Sequence, residues 1–169
     1  ESLRSSFKSK FVPVQLPWGE KDHFQGVIGL VTMKGRKGAG AELVDIPAGP
    51  FQRGNPKGTE FEKPVRTIHV SAFRIGKYEV TNEEWKRFAD STGKIYPVEP
   101  LHKPIKNYFI NSPRSPVVEI TWEEAAAFCV WLSMKTGRDF HLPTEAQWEK
   151  AARGGLDGME FFWGNDRRE

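Results

Sequence analysis

Three times in this chain a threonine stands at the head of an apolar-periodic run, with a glutamate or glutamine three residues later. The segments are Thr81-Asn82-Glu83-Glu84, Thr121-Trp122-Glu123-Glu124 and Thr144-Glu145-Ala146-Gln147. In this arrangement the threonine hydroxyl accepts the amide of the third residue on. That residue's side chain in turn accepts the threonine's own amide, so two donors left over at a helix start are satisfied reciprocally. Each run also meets a glycine where a helix would stop: Gly93, Gly137 and Gly154-Gly155. Glycine reaches the left-handed conformation that ends helices at little cost. The pattern predicts three capped helices. The first carries Trp85, Phe88 and Ala89 inward, the second Ala125, Phe128, Cys129 and Leu132, and the third Trp148 and Ala151.

Around these helices the chain reads as short strands and turns. Twelve prolines and 16 glycines favour many breaks over a helix bundle. Glu42–Ile46 alternates weakly, Pro47-Ala48-Gly49-Pro50 reads as a turn, and Phe51–Gly54 resumes as a partner strand. Val65–Ser71 and Phe73–Val80 read as further strands, the second with Phe73, Ile75 and Tyr78 apolar. Lys94–Glu119 holds five prolines (Pro97, Pro100, Pro104, Pro113, Pro116) and little periodicity. A connection that long is functional, partly disordered, or a surface excursion packed on the domain. The fold class expected is α+β with short antiparallel strands.

Charge divides the chain. Residues 1–41 carry seven Lys/Arg against three Asp/Glu, a net of +4, while residues 42–169 are close to neutral at −1. Residues 1–41 therefore read as a basic extension or docking arm, and residues 42–169 as the compact domain. Within the extension, Phe11–Trp18 (FVPVQLPW) favours extended backbone because of Pro13 and Pro17, and Lys34–Gly40 is a Gly-rich basic linker. No basic run interleaves with aromatics to stack bases, so a nucleic-acid partner is not expected. No stretch approaches the roughly 20 apolar residues of a membrane span.

The chemistry-bearing residue types are sparse. A single cysteine, Cys129, excludes an intrachain disulfide. Set among Ala126, Phe128 and Leu132, it reads as a small buried hydrophobe. The four histidines, His23, His69, His102 and His141, show no metal-ligand spacing. His141 reads as a satisfied histidine against the core. The paired carboxylates Glu83-Glu84 and Glu123-Glu124 each begin a helix, where capping and the helix dipole account for them. Trp122, Trp131 and Trp148 read as large apolar anchors, and Glu149 with Arg153 as a favourable i,i+4 pair.

Four segments in order carry a family resemblance. They are Glu42–Asn55 (ELVDIPAGPFQRGN), Lys63–Ala89 (KPVRTIHVSAFRIGKYEVTNEEWKRFA), Ser115–Gly155 (SPVVEITWEEAAAFCVWLSMKTGRDFHLPTEAQWEKAARGG) and Phe161–Asn165 (FFWGN). Together they resemble the sulfatase-modifying-factor, or formylglycine-generating-enzyme-like, family. The resemblance implies an irregular mixed fold related to C-type lectins. Catalytic members of that family oxidise a sulfatase cysteine to formylglycine with oxygen and a copper ion held by two cysteines. The resemblance places those cysteines, and the calcium-binding loops, beyond Glu169. No residue of this chain is therefore assigned as catalytic, cofactor-binding or metal-ligating. Cys129 occupies a position where the family commonly has cysteine, and His141 one where it usually has arginine before Leu-Pro-Thr-Glu.

On this reading the domain is incomplete at its C-terminus, and its exposed apolar face calls for the missing part or a protein partner. The start at Glu1, without Met, fits either a mature form after signal removal or part of a longer chain. The function expected first is a noncatalytic structural or binding subunit of an extracytoplasmic or membrane-attached assembly. The alternatives are the N-terminal part of a formylglycine-generating oxidase and, by fold analogy alone, a lectin-like ligand binder.

Overall fold

A computed structural model of the chain describes residues 31–32, 42–97, 106–156, 158–159 and 165. Most of the N-terminal extension, the middle of the long connection, His23, His102 and nearly all of Phe161–Asn165 lie outside the described residues. Among the described residues, six strands are short and antiparallel where paired. They are β1 (Val31–Thr32), β2 (Leu43–Ile46), β3 (Gly49–Arg53), β4 (Arg66–Val70), β5 (Phe73–Gly76) and β6 (Phe140–His141). The helices are α1 (Asn82–Thr92), a four-residue α2 (Tyr108–Asn111), α3 (Trp122–Thr136) and α4 (Glu145–Arg153). The α+β class and the three capped helices expected from sequence are borne out.

All three capping boxes form as written. Thr81, Thr121 and Thr144 accept the amides of Glu84, Glu124 and Gln147, and Gly93, Gly137 and Gly154 take left-handed conformations at φ 70°, 65° and 56°. The carboxylates of Glu84 and Glu124 return to the Thr81 and Thr121 amides at 2.9 and 2.7 Å. Both paired-carboxylate segments are thus helix starts; Glu83 bonds Arg87 along the face of α1.

The chain divides into two compact units. Of the described residues, one unit holds 45–73 and those from 143 onward; the other holds 31–32, 42–44 and 74–142. Four strands form a sheet of order β2-β5-β1-β6; β1 and β6 belong to the second unit, and the boundary between the units falls within β2, after Val44, and within β5, after Phe73. β1 pairs with β5 (Val31 opposite Ile75) and with β6 (Val31 opposite His141). This strand lies inside the stretch that the sequence reads as an extension.

The core of the second unit is aromatic. Trp85 and Phe128 stack at 5.4 Å with planes 9° apart, while Phe88 meets each of them edge-on at 5.1 and 5.4 Å. Trp85, Phe88, Ala89, Ala125, Phe128 and Cys129 are all buried. Offset and edge-to-face contacts of this kind add about 0.5–1.5 kcal/mol each beyond area burial. The Ser133 hydroxyl accepts the Phe140 amide at 2.9 Å, which ties β6 to α3. The end of the long connection packs inward: Val117 is buried and donates its amide to the Val80 carbonyl at 2.9 Å, and the Asn82 side-chain amide bonds the Ser112 carbonyl at 2.9 Å. Phe109 of α2 is buried as well.

In the first unit β3 pairs with β4 over five residues, Phe51 opposite Ile68. This corrects the sequence expectation that the strand after Pro47-Ala48-Gly49-Pro50 partners the one before it. Only Pro47 and Ala48 separate β2 from β3. A two-residue hairpin loop needs positive φ at its first central residue, and proline is locked near −65°. Two further differences concern side chains. Trp122 is 56% exposed, so it does not anchor the core. It stands at the first turn of α3, one and two turns ahead of the buried Ala125 and Cys129 that share its side of the helix. Tyr78, expected to continue the apolar alternation of Phe73 and Ile75, is 54% exposed, because β5 ends at Gly76.

Candidate functional site

The densest polar cluster lies in the first unit, where one face of α4 meets the end of β3. Glu145, Glu149 and Arg153 follow one another at four-residue intervals, so they line one face of α4. That face packs against β3. Glu149 is the hub. Its Oε1 accepts the Gly54 amide at 2.8 Å and the Arg153 Nε and guanidinium NH2 at 2.9 and 2.6 Å. Arg153 also donates to the Gly54 carbonyl at 2.7 Å. Both polar groups of the Gly54 backbone are therefore clasped by one ion pair. Its side chains are only 15% and 18% exposed.

Two further contacts complete the clasp. Arg53 pairs with Glu145, and this hydrogen bond raises the Arg53 guanidinium above its ordinary value, with burial opposing. The Lys150 ammonium donates to the Pro47 and Gly49 carbonyls, both at 2.8 Å. Gly54 sits at φ +102°, and a Cβ there would come within 2.4 Å of the Glu62 carbonyl oxygen. Glycine is thus required at the centre of the cluster on two counts. The i,i+4 pair of Glu149 with Arg153 was legible in the sequence. Arg53, Gly54 and Lys150 were not, since their partners lie 92 to 103 residues away.

Glu149 Oε1 already receives three donors, and Arg153 spends its guanidinium on Glu149, Gly54 and the Met159 carbonyl. A carboxylate held in this way by backbone and guanidinium fastens a strand end to a helix.

The remaining chemistry-bearing residues do not gather into a site. Cys129 is 2% exposed on α3, and burial pushes its thiol up to about 12. His141 is half-buried at the end of β6, and its Nδ1 donates to the Leu142 carbonyl at 2.8 Å, which makes it the satisfied histidine expected. His69 is exposed on β4 opposite Pro50. Among the described residues no group of three or more His, Cys, Asp or Glu side chains converges to hold a metal ion.

The copper site implied by the family resemblance needs two thiolates. Cys129 is the chain's single cysteine, and a thiol raised to about 12 in an aromatic core is not a thiolate donor at neutral pH. The residues present do not fit copper. Among the described residues no helix is long and apolar enough to cross a membrane.

Comparison with known proteins agrees with the motif order. The family model for the sulfatase-modifying factor enzyme 1-like domain matches residues 29–169. The formylglycine-generating enzyme of Bos taurus is 29% identical over 78% of this chain and 44% of its own length. The formylglycine-generating enzyme of Thermomonospora curvata is 30% identical over 73% of this chain and 52% of its own. The inactive C-alpha-formylglycine-generating enzyme 2 of Bos taurus is 31% identical over 76% and 54%. Among solved structures, PvdO from Pseudomonas aeruginosa superposes with a TM-score of 0.59 at 26% identity, over 70% of this chain and 49% of that one. The chain spans about half the length of these relatives. With the family model covering most of its residues and a solved relative sharing its fold, this chain belongs to the sulfatase-modifying factor enzyme 1-like domain family.

Proposed function

We propose that this chain serves as a noncatalytic module of its family, a structural or binding subunit within a larger extracytoplasmic or membrane-attached assembly. One observation carries the reading: the polar side chains of the family motifs are already engaged within the chain. Thr81, Glu84, Thr121, Glu124, Thr144 and Gln147 close helix caps. Glu145, Glu149 and Arg153 close the clasp. The one thiol is sealed among aromatic rings. The family also includes an inactive relative, at 31% identity, beside active enzymes at 29% and 30%, so membership alone supports either role. In this reading the module itself holds no copper and no calcium, and its partner is a protein.

The test pairs two measurements on the natural protein. Incubated with a cysteine-containing sulfatase peptide, Cu(I) and oxygen, it is expected to leave the cysteine unchanged by mass spectrometry. Isolated gently from its source, it is expected to bring a stable protein partner. Formylglycine formation, or a monodisperse protein with no partner, overturns the reading.

A second reading is favoured by the identity to the two active enzymes over 73–78% of this chain. There the chain supplies the N-terminal part of a formylglycine-generating oxidase whose copper-binding cysteines lie outside these residues. The intact mass and cysteine count of the natural protein separate the two. A larger mass with two further cysteines supports the oxidase; a mass near 19.2 kDa removes it.

A further inference from the structure

We propose that the turn Ser112–Ser115, near the end of the long proline-rich connection, is a latch on the start of α1. It lifts off Asn82 as one piece while the helix and its aromatic core stay folded. The turn closes on itself, the Ser115 amide donating to the Ser112 carbonyl at 3.0 Å. Pro113 stands at its second position, where the fixed φ of proline suits a β-turn. Three of its carbonyls meet the first turn of α1. The Ser112 carbonyl accepts the Asn82 side-chain amide at 2.9 Å. The Pro113 carbonyl accepts the Glu83 backbone amide, and the Ser115 carbonyl the Asn82 backbone amide, both at 2.9 Å.

An α-helix begins with amides that find no partner inside the helix. At α1 two caps share them. The capping box takes the Thr81 and Glu84 amides, on the Glu84 carboxylate at 2.9 Å and the Thr81 hydroxyl at 3.3 Å. The turn takes the other two, Asn82 and Glu83. The box is local, and the same box starts α3 and α4. Helix α1 therefore keeps its start when the turn leaves, and the two freed amides pass to water. The roots of the loop are held apart from the latch. Phe109 and Val117 are buried, the Val117 amide bonds the Val80 carbonyl at 2.9 Å, and the Tyr108 hydroxyl donates to the Pro116 carbonyl at 2.8 Å. Between these roots only the tip moves, and its outer residues Pro113 and Arg114 are already exposed.

The latch is weak at a definite atom. Two of its three bonds converge on Asn82, which is 1% exposed, and Asn82 Oδ1 has no hydrogen-bond partner among the described residues. A buried acceptor left unpaired raises the energy of the closed state, and lifting the tip returns it to water. A contact held by few bonds and opposed by one desolvated oxygen belongs to the low-stability end of its unit. The turn is thus a small flap over the first turn of α1, and opening it bares the Asn82 carboxamide and two backbone donors. This goes beyond the function proposed above and holds for a noncatalytic module and for part of an oxidase alike.

Native-state amide hydrogen exchange of the whole natural protein tests it. The Asn82 and Glu83 amides are expected to share one opening equilibrium, with protection at least about tenfold below that of the Val117 and Phe128 amides. Asn82→Asp keeps the shape but replaces the donor to the Ser112 carbonyl with a carboxylate. It is expected to lower the protection of both amides together by about tenfold or more, to leave Phe128 unchanged, and to speed trypsin cleavage after Arg114 by a similar factor. Pro113→Gly touches no residue of α1 and loosens only the turn, so it is expected to act in the same direction on the same amides; it carries the comparison should Asn82→Asp fail to fold. The proposal is overturned if the two amides open at different free energies, or if they exchange only with the global unfolding that frees Phe128. It is overturned equally if a folded Asn82→Asp or Pro113→Gly leaves both amides and the Arg114 cleavage rate as in the parent.

Discussion

The Glu149 carboxylate accepts the backbone amide of Gly54 at 2.8 Å, across 95 residues of sequence. Through this one bond the last helix of the first unit fixes the end of β3. Arg153 reinforces it at the same residue's next peptide group, on the Gly54 carbonyl. A family motif that reads on paper as a pair of acidic residues followed by an arginine is, in three dimensions, a fastening between two distant segments.

The two ion pairs of the clasp differ in worth. Glu149 and Arg153 are 18% and 15% exposed, whereas Arg53 and Glu145 are 33% and 41% exposed. Exposed pairs contribute about 0–1 kcal/mol, while breaking a largely buried pair leaves an unmatched charge and costs on the order of 3 kcal/mol. Glu149→Gln is therefore expected to destabilise by about 2–3 kcal/mol, since it also weakens the bond to the Gly54 amide. Glu145→Gln is expected to cost under about 1 kcal/mol. Urea unfolding of the single variants, with a double-mutant cycle of Glu149→Gln and Arg153→Met, measures both. Equal losses from Glu145→Gln and Glu149→Gln would contradict the ranking.

Gly54→Ala tests the same place through the backbone. At φ +102° any side chain is strained, and the new Cβ meets the Glu62 carbonyl at 2.4 Å, so the β3 end must shift off the clasp. The expected loss is about 3 kcal/mol or more. Gly93→Ala is the control. Its φ is +70° with open space around a Cβ, so only the conformational term of about 1 kcal/mol applies. Comparable midpoints for the two variants would show that the close approach at Gly54 is relieved elsewhere.

What the sequence disclosed and what it withheld follow from range. The helices were legible because each start and stop is encoded within four residues: Thr81 with Glu84, Thr121 with Glu124, Thr144 with Gln147, and a glycine after each. The pairing of β3 was not, because periodicity says that Phe51 and Ile68 share a face but names no neighbour. Proline at position 47, which excludes the local hairpin, was the available clue. Arg53 and Lys150 drew no reading from sequence, since nothing local marks a residue whose partner is about a hundred positions away. Trp122 was misplaced because size was taken for burial. It shares a side of α3 with the buried Ala125 and Cys129, but at the first turn it is still 56% exposed.

The aromatic stack should dominate the stability of the second unit. Phe128 is 2% exposed and contacts Trp85, Phe88 and Trp131 through ring faces and edges at 5.4–5.5 Å. Phe128→Ala removes the ring shared by all three and is expected to cost about 3–5 kcal/mol. Val130→Ala, two residues on but exposed, is expected to stay within about 0.5 kcal/mol. Thermal melts monitored by near-ultraviolet circular dichroism report both the stability and the loss of the fixed tryptophan environment.

Cys129 gives the pH dependence. Burial raises its thiol from 9.0 to about 12, so the folded chain holds this proton where the unfolded chain releases it. The sign follows from linkage. The contribution is fully present below pH 9 and is lost as pH rises from 9 toward 12, at up to about 1.4 kcal/mol per pH unit. Lys77 and Lys86, each raised first by hydrogen bonds to Glu42 and Asp90, lose their stabilising proton in the same alkaline range. The Cys129 share is therefore read as a difference: Cys129→Ala should fall less steeply above pH 9 than the parent protein. The same burial predicts that a thiol reagent labels Cys129 at neutral pH only at the rate of unfolding, and promptly in denaturant. Rapid labelling of the native protein, or identical slopes for parent and variant, would mean that the thiol is open to solvent and that its place in the aromatic core does not hold in solution.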